Sequence, residues 1–447
     1  MKNLTKGNPI KLIVQFAIPL FIGRILQILY AIVDTRIVGV TLGDTAIAAV
    51  GGTSTLADLL LEFTMGMTAG FSIIVANSFG AGNEKNVKRS VARTFILTGG
   101  FSLGLSALAL VFLDRILGIL HVPANIYDNA RSYIFVILAG LIFSALYNAC
   151  AAVLRAVGDT VTPLIFLVIS SLLNVGLDCY FIMVLRTGVW GAAAATVIAQ
   201  GFSFVLCFIY MWKKYPGMRF SAVDLEHDGD MLSRMLKAGV SMGFMSAFVS
   251  FGTVSLQTAI NTFGTDIIVA HTAARKITMI FMMPFGVFGM AMATYCGQNM
   301  GAGEYGRIRT GLKKIVLMTW GICILVIILA NTVAGNLVTL ITGSETENVI
   351  KYATLYLRFD TAFYFVPTFI ALVRNSLQGI GDSTTPVVSS FIELAGKVVI
   401  ALTLAPAVGY WGIIVAEPIV WILMVIPLIV AVVKNPVFKA KNAENKC

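Results

Sequence analysis

What most constrains this chain is the recurrence of apolar runs, each long enough to cross a lipid bilayer, along almost its whole length. A membrane-spanning helix needs roughly 20 mainly apolar residues. Twelve such windows can be marked, at 12–38, 50–78, 92–114, 131–154, 161–185, 189–212, 238–262, 276–298, 314–341, 352–377, 385–405 and 411–433. A strand with a free edge cannot lie in hydrocarbon, because its backbone groups would have no partners, so the expected fold is an all-α polytopic membrane protein. Composition agrees: 58% of the 447 residues are hydrophobic and 12% are charged, which excludes an ordinary soluble domain. The lysines ahead of the first window look like the start of a secretory leader. No small-residue cleavage site follows, and an uncleaved first helix is expected.

The formal net charge of +10 does not point to a nucleic-acid partner, because the basic residues sit in alternate loops. Lys2, Lys6, Lys11, Lys85, Lys88, Arg89, Lys213, Lys214, Lys237, Lys313 and Lys314 fall on one side, with Arg155 and Arg374 at span ends and Lys439, Lys441 and Lys446 in the tail. The other side carries few, among them Arg115, Arg186, Arg275 and Lys276. This bias places both termini in the cytoplasm of a multi-pass membrane protein, with the lipid bilayer as its surroundings. The six Cys show no Cys-x-x-Cys or Cys/His ligand spacing, so neither a disulfide framework nor a zinc site is indicated.

The chain is also written twice. Gly80-Ala81-Gly82 recurs as Gly301-Ala302-Gly303, and Trp190-Gly191 recurs as Trp411-Gly412 at the same offset. "LRAVGDTVTP" from Leu154 recurs as "LQGIGDSTTP" from Leu377 at an offset larger by two. Two pseudo-symmetric six-helix lobes are the simplest reading, parallel repeats because six is even. The expected organisation is an N-lobe at 1–212, a cytoplasmic linker at 213–237, a C-lobe at 238–433 and a cytoplasmic tail at 434–447. Two similar lobes suit alternating access.

Polar residues within the windows carry the chemistry. Asn174 and Asp178 are spaced i, i+4 and share one face of the fifth span. A carboxylate at membrane depth costs about 2.5 to 3.5 kcal/mol on insertion scales, so it pairs, faces water or binds something. An interhelical hydrogen bond that glues two helices is the structural alternative. If spans 1, 5 and 6 are neighbours, Asp34, Asn174, Asp178 and Thr196 supply hard oxygen ligands suited to a small alkali cation. A proton on one carboxylate can replace that cation.

These residues resemble the MATE (multidrug and toxic compound extrusion) family, most of all its bacterial DinF-like branch, over essentially the full length. The resemblance rests on "VDTRIVG" in span 1, "GAGN" after span 2, "LRAVGDTVTP", "NVGLD" in span 5 and "WGAAAAT" opening span 6. It implies two six-helix lobes in a V shape and a secondary antiporter that exports amphipathic, often cationic organic compounds as Na+ or H+ enters. It also puts Asp34, Asn174, Asp178 and Thr196 in the N-lobe cation site, with the Ala192 carbonyl as a further ligand. Pro19 matches a proline at which span 1 bends. No cofactor is implied beyond the coupling ion, and a monomer is expected.

The second repeat does not copy that site. Asn174 falls on Lys397 and Asp178 on Ala401, and Glu393 and Lys397 are spaced for an i, i+4 ion pair of structural character. Asp360 in span 10 is a candidate second acid, because the resemblance includes a branch with a functional acid there, although Arg358 is close in sequence. Asp58 and Glu62 in span 2 face a watery cavity or share a proton, with direct substrate contact the alternative and Arg24 a candidate partner. Met282, Met283, Met290 and Met292 with Phe281, Phe285 and Phe288 give span 8 a soft surface, fit either for a promiscuous substrate or for packing.

Enzyme patterns fail on context. "GVSMG" at Gly239–Gly243 fits a nucleophile elbow but opens a membrane helix, and His121, His227 and His271 lie in expected loops or near span ends. "GAGNEKN" lacks the end of a phosphate loop. The chain is therefore expected not to be an enzyme, with an ion gradient as its energy source. A lipid-linked oligosaccharide flippase is the rival reading. Its cavity needs cationic groups for a pyrophosphate, whereas Asp34, Asp58, Glu62, Asp178, Asp360, Glu393 and Glu417 outnumber Arg24, Arg358 and Lys397 within the spans.

Overall fold

Each apolar window is helical in the structure, a computed structural model that describes residues 3–225, 228–343 and 346–439. Lys2, His227, Lys441 and Lys446 lie outside the described residues. The helices are α1 (Pro9–Leu42), α2 (Asp44–Gly80), α3 (Glu84–Val111), α4 (Leu113–Ile119), α5 (Tyr127–Ala139), α6 (Leu141–Ala156), α7 (Val161–Asp178), α8 (Val189–Lys214) and α9 (Gly229–Ile260). There follow α10 (Thr265–Gly301), α11 (Tyr305–Thr332), α12 (Ala334–Thr342), α13 (Glu347–Ala362), α14 (Phe365–Gly379), α15 (Thr384–Leu402), α16 (Leu404–Val408), α17 (Tyr410–Lys434) and α18 (Pro436–Lys439). Among the described residues, 10 helices are each long and apolar enough to cross a membrane, and 12 spans result when two bent pairs are counted as one each. Those pairs are Tyr127–Ala139 with Leu141–Ala156, bent by 43°, and Glu347–Ala362 with Phe365–Gly379, bent by 54°. They are the fourth and tenth spans, so the duplication extends to the position of the bend.

The repeat is visible in the turns as well. In each copy of the Gly-Asp-x-x-x-Pro stretch the glycine is left-handed, Gly158 at φ 86° and Gly381 at φ 96°, a region open to glycine at no steric cost. The following Asp caps the next helix: Asp159 accepts from the Thr162 amide (3.0 Å) and hydroxyl (2.7 Å), and Asp382 from the Thr385 amide (3.0 Å) and hydroxyl (2.6 Å).

Several helices run past their apolar windows. Hydropathy detects only the lipid-facing stretch, while the helix continues into polar ends. Thus α10 begins at Thr265, and Arg275 and His271 belong to the interior of a helix, not to a loop or span end as the windows imply. Similarly α9 begins at Gly229, inside the expected 213–237 linker.

Contacts divide the chain into two compact units, one built on Ile18–Gly243 and the other on Leu4–Ala17 with the described residues from Phe244 onward. Helix α1 is therefore shared, and the division falls just before Pro19, its one internal proline.

In the first unit, α2 packs on α3 and α6, and α8 packs on α5, α6 and α7. Its core includes Val75, Val91, Tyr147, Val153, Cys207 and Met211. Small residues let α2 and the start of α9 approach closely. A Cβ on Gly70 would lie 2.5 Å from the Ala238 carbonyl oxygen, and one on Gly239 would lie 2.1 Å from the Phe71 ring. The "GVSMG" glycines are thus packing residues, since Gly243 lies against Met67 and Phe63 in the same way.

In the second unit, α10 packs on α13 and α14, and α15 on α17. Tyr295, Tyr356, Tyr364 and Phe285 are among its largest fully buried side chains. The N-terminal segment is anchored here: the Leu4 amide donates to Gln298 (2.9 Å), and the Leu4 carbonyl accepts from Asn299 (3.3 Å) and Arg307 (3.3 Å).

Candidate functional site

The first unit assembles the residues of the expected N-lobe site. Packing of α7 on α8 brings Asn174 to Thr196, whose hydroxyl accepts from the Asn174 amide at 3.3 Å. That hydroxyl donates in turn to the Ala192 carbonyl at 3.1 Å. Asn174 and Asp178 are 1% and 0% exposed, as their shared helix face requires. Helix α7 ends at Asp178, and the chain continues as a π-helical turn, Cys179–Val184. Such wide turns break the regular ladder and re-aim side chains.

Asp34 on α1 comes close enough to Asp178 for the two carboxyl groups to interact directly. Neither carboxylate can donate to the other unless one carries a proton. Accordingly Asp34 Oδ1, Asn174 Oδ1 and both Asp178 oxygens are buried without a hydrogen-bond partner among the described residues. Two ionised carboxylates this close repel, so the pair is stable with either a shared proton or a small cation between them. Tyr30 and Tyr133 stand within electrostatic range of both acids, and Tyr30 also lies beside Thr196. Sequence reasoning missed both tyrosines; Tyr30, one helical turn before Asp34, was the readable one.

Other expected residues are not gathered there. In the first unit Asp58 is exposed and Glu62 half-buried on α2. Arg24 does not partner them, because its guanidinium donates to Gln27 at 3.4 Å, one turn along its own helix. In the second unit Met282 and Met290 are half-buried on α10, while Met292 and Phe285 are core residues.

The second unit contains a larger buried charge network than the expected Glu393–Lys397 pair. Lys397 Nζ lies 2.9 Å from Glu393 and 3.2 Å from Glu417. Glu417 also meets Arg275 at 3.2 Å, and Glu393 meets Arg374 at 3.9 Å. The chain Arg374–Glu393–Lys397–Glu417–Arg275 thus runs through α14, α15, α17 and α10. Asp360 on α13 is 0% exposed and within electrostatic range of Glu417, Arg275 and Lys397. Tyr364 stands next to it, yet neither Asp360 oxygen has a hydrogen-bond partner among the described residues. Arg358 points elsewhere, donating to the Asn331 carbonyl at 3.1 Å on the exposed side. Sequence reasoning missed the parts of Arg275, Arg374 and Glu417 because they lie on three different helices, none of them the helix of Glu393 and Lys397.

Among the described residues no group of three or more His, Cys, Asp or Glu is placed to hold a metal ion. The oxygens around Asp34 and Asp178, from two carboxylates, an amide and a hydroxyl, are hard donors.

The MatE family model matches residues 19–180 and 241–405, one stretch in each repeat. The chain belongs to the MatE family. Among curated MatE-like proteins, the probable multidrug resistance protein YpnP of Bacillus subtilis (strain 168) is 28% identical over 306 residues, covering 68% of each chain. The probable multidrug resistance protein YoeA of the same strain is 25% identical over 388 residues, 85% of this chain and 83% of the relative. A crystal structure of MATE in the bent conformation superposes with a TM-score of 0.87 at 23% identity, covering 96% of both chains. That likeness fixes the fold as the MatE one: an all-α, multi-pass membrane protein.

Proposed function

We propose that this MatE protein is a secondary active antiporter that exports amphipathic, often cationic organic compounds in exchange for Na+ or H+. The observation that carries the reading is the pairing of Asp34 with Asp178 beside Asn174 and Thr196, with buried oxygens left unpartnered. Such a site changes its charge partner at little cost, because a proton and a small cation each satisfy the same oxygens. The Ala192 carbonyl joins the ligand set when the Thr196 hydroxyl releases it. Names of relatives point the same way, since YpnP and YoeA are both described as probable multidrug resistance proteins.

In this reading, capture of the ion at Asp34 and Asp178 favours one arrangement of the lobes and drug binding favours the other. Each ligand drives exchange only by binding the two states unequally. Pro19, at the point where α1 passes from one unit to the other, is the hinge. The lobes are taken as 1–212 and 238–433, in a DinF-like monomer of the cytoplasmic membrane with both termini inside. Asp58, Glu62, Met282 and Met290 are proposed to contact substrate, and Asp360 to be a second acidic group.

The test is efflux of a fluorescent organic cation from proteoliposomes under an imposed Na+ gradient or an imposed pH gradient. Flux that follows one gradient and is lost in Asp178→Asn is the expected result. Absence of flux under either gradient would transfer the assignment to lipid-linked saccharide flipping.

A further inference from the structure

The duplicated sequence allows the site of the first unit to be located, position by position, in the second. The offset that maps Trp190-Gly191 onto Trp411-Gly412 maps Thr196 onto Glu417. Both copies of that stretch start from a left-handed glycine, Gly188 at φ 69° and Gly409 at φ 66°. The offset that maps Gly158-Asp159 onto Gly381-Asp382 maps Asn174 onto Lys397 and Tyr133 onto Tyr356. Helices α7 and α8 pack together in one unit, as α15 and α17 do in the other.

The contact survives the duplication while its chemistry changes. Asn174 meets Thr196 at 3.3 Å in the first unit, and at the matching positions Lys397 meets Glu417 at 3.2 Å in the second. A neutral amide–hydroxyl pair has become an ammonium–carboxylate pair. The ammonium is 2% exposed with its residue, and Glu393 holds it from the other side at 2.9 Å. The second-unit acids reach the spot from different positions, Glu417 from α17 and the unpartnered Asp360 from α13, since Asp178 is replaced by Ala401.

We infer that the second copy of the cation site is permanently filled by a cation belonging to the chain. The Lys397 ammonium stands where the first unit receives an exchangeable proton or small cation, and removing it opens a monovalent-cation site in the second unit. The charges around it support this. With Lys397 present, Glu393, Glu417 and Asp360 are matched by Arg374, Arg275 and Lys397. Without it one carboxylate is left over in a buried site, and the space of a butylammonium chain is vacated. His271 Nδ1 lies 3.2 Å from the Tyr410 hydroxyl, and its ring packs edge-on against Tyr356. Gly252 of α9 leaves room for the Lys397 stem, since a Cβ there would lie 3.0 Å from Lys397 Cδ. A residue held between two carboxylates does not exchange, so one unit couples to the ion and the other is a fixed scaffold. The comparison of sites rests on the coupling role proposed for Asp34 and Asp178; the latent site itself does not.

The experiment therefore uses full-length protein carrying Asp34→Asn and Asp178→Asn, so that no first-unit carboxylate contributes. Melting temperature in detergent is measured in chloride salts of choline, Na+ and propylammonium, at equal ionic strength. With Lys397 intact no salt should stand out. With Lys397→Ala added, Na+ or propylammonium should raise the melting temperature by about 5 °C over choline near saturation. Adding Glu417→Thr to that chain should abolish the rise. Lys397→Gln keeps a donor to both glutamates and leaves each its arginine, so it serves if the alanine variant does not fold; a smaller rise of the same sign is expected. A folded Lys397→Ala or Lys397→Gln chain indifferent to the cation would overturn the inference. So would a cation effect of equal size with Lys397 present. Transport failure of the wild type would refute the antiporter reading without touching this result.

Discussion

Asp178→Asn should make the protein more stable while it disables coupling. In the wild type both Asp178 oxygens are buried with no hydrogen-bond partner among the described residues, beside a second carboxylate. The amide of the variant is nearly isosteric, removes the repulsion, and donates to Asp34. A hydrogen bond to a charged group contributes about 1.5 to 3 kcal/mol, and relief of an unsatisfied buried group adds on the order of 1 kcal/mol. A net gain of about 2 to 4 kcal/mol follows once the shared proton is lost, read as a rise of several degrees in melting temperature in detergent at alkaline pH without the coupling ion. Saturating coupling ion should narrow the difference, since it stabilises only the wild type. Acidification should narrow it too, because a protonated Asp178 gains the same donor as the amide. Thermal scans across pH and salt decide the matter. A variant less stable than the wild type at alkaline pH, in the absence of the ion, would show that the carboxylate is already satisfied and would refute the argument.

Other consequences are equally direct. Gly70→Ala should destabilise by about 1–3 kcal/mol or more, because its Cβ would meet backbone atoms of Ala238 and Gly239 that no rotamer change can move. Gly99→Ala, with open space around it, should be neutral or slightly stabilising, and denaturation of the two variants side by side tests the contrast. Arg275→Ala should cost about 3–5 kcal/mol by leaving part of the Glu417 charge uncompensated in a buried site, whereas Arg358→Ala should cost well under about 1 kcal/mol. Asp159, outside the spans, is pushed up by burial, but hydrogen bonds from Tyr215 and Thr162 outweigh this and hold its carboxyl below the ordinary range. Its folded-state value is depressed, so its contribution is present above the unfolded value and lost as pH falls. Asp159→Asn should therefore be less stable than the wild type at neutral pH and converge with it below about pH 4.

The helices were legible because hydrocarbon leaves no alternative: an apolar run of sufficient length must satisfy its backbone internally. Their ends were less so, and Arg275 shows the reason. A helix stops where its capping and packing stop, not where its hydropathy does. Asn174 and Asp178 were readable from a single helical turn. Placing them beside Asp34 needed the family resemblance, since nothing in one helix encodes which face of another it meets. The Lys397–Glu393 pair was likewise local. The links to Glu417, Arg275 and Arg374 were hidden because each partner stands on another helix, although Glu417 occupies the repeat position of Thr196 and could have been found by carrying the Trp-Gly offset forward.

The preserved contact between Asn174–Thr196 and Lys397–Glu417 also constrains how the two halves grew apart. Descent from one duplicated sequence requires an intermediate in which only one member of the pair was charged. A lone buried charge would ordinarily be purged. In the second unit either order was survivable: a Glu arriving first at 417 meets Arg275, and a Lys arriving first at 397 meets Glu393. Redundant partners thus turned a two-residue exchange into two tolerable single steps. The same redundancy implies that a present-day chain can lose one member without collapse, leaving an evolutionary route by which a transporter of this build adds or discards a coupling ion.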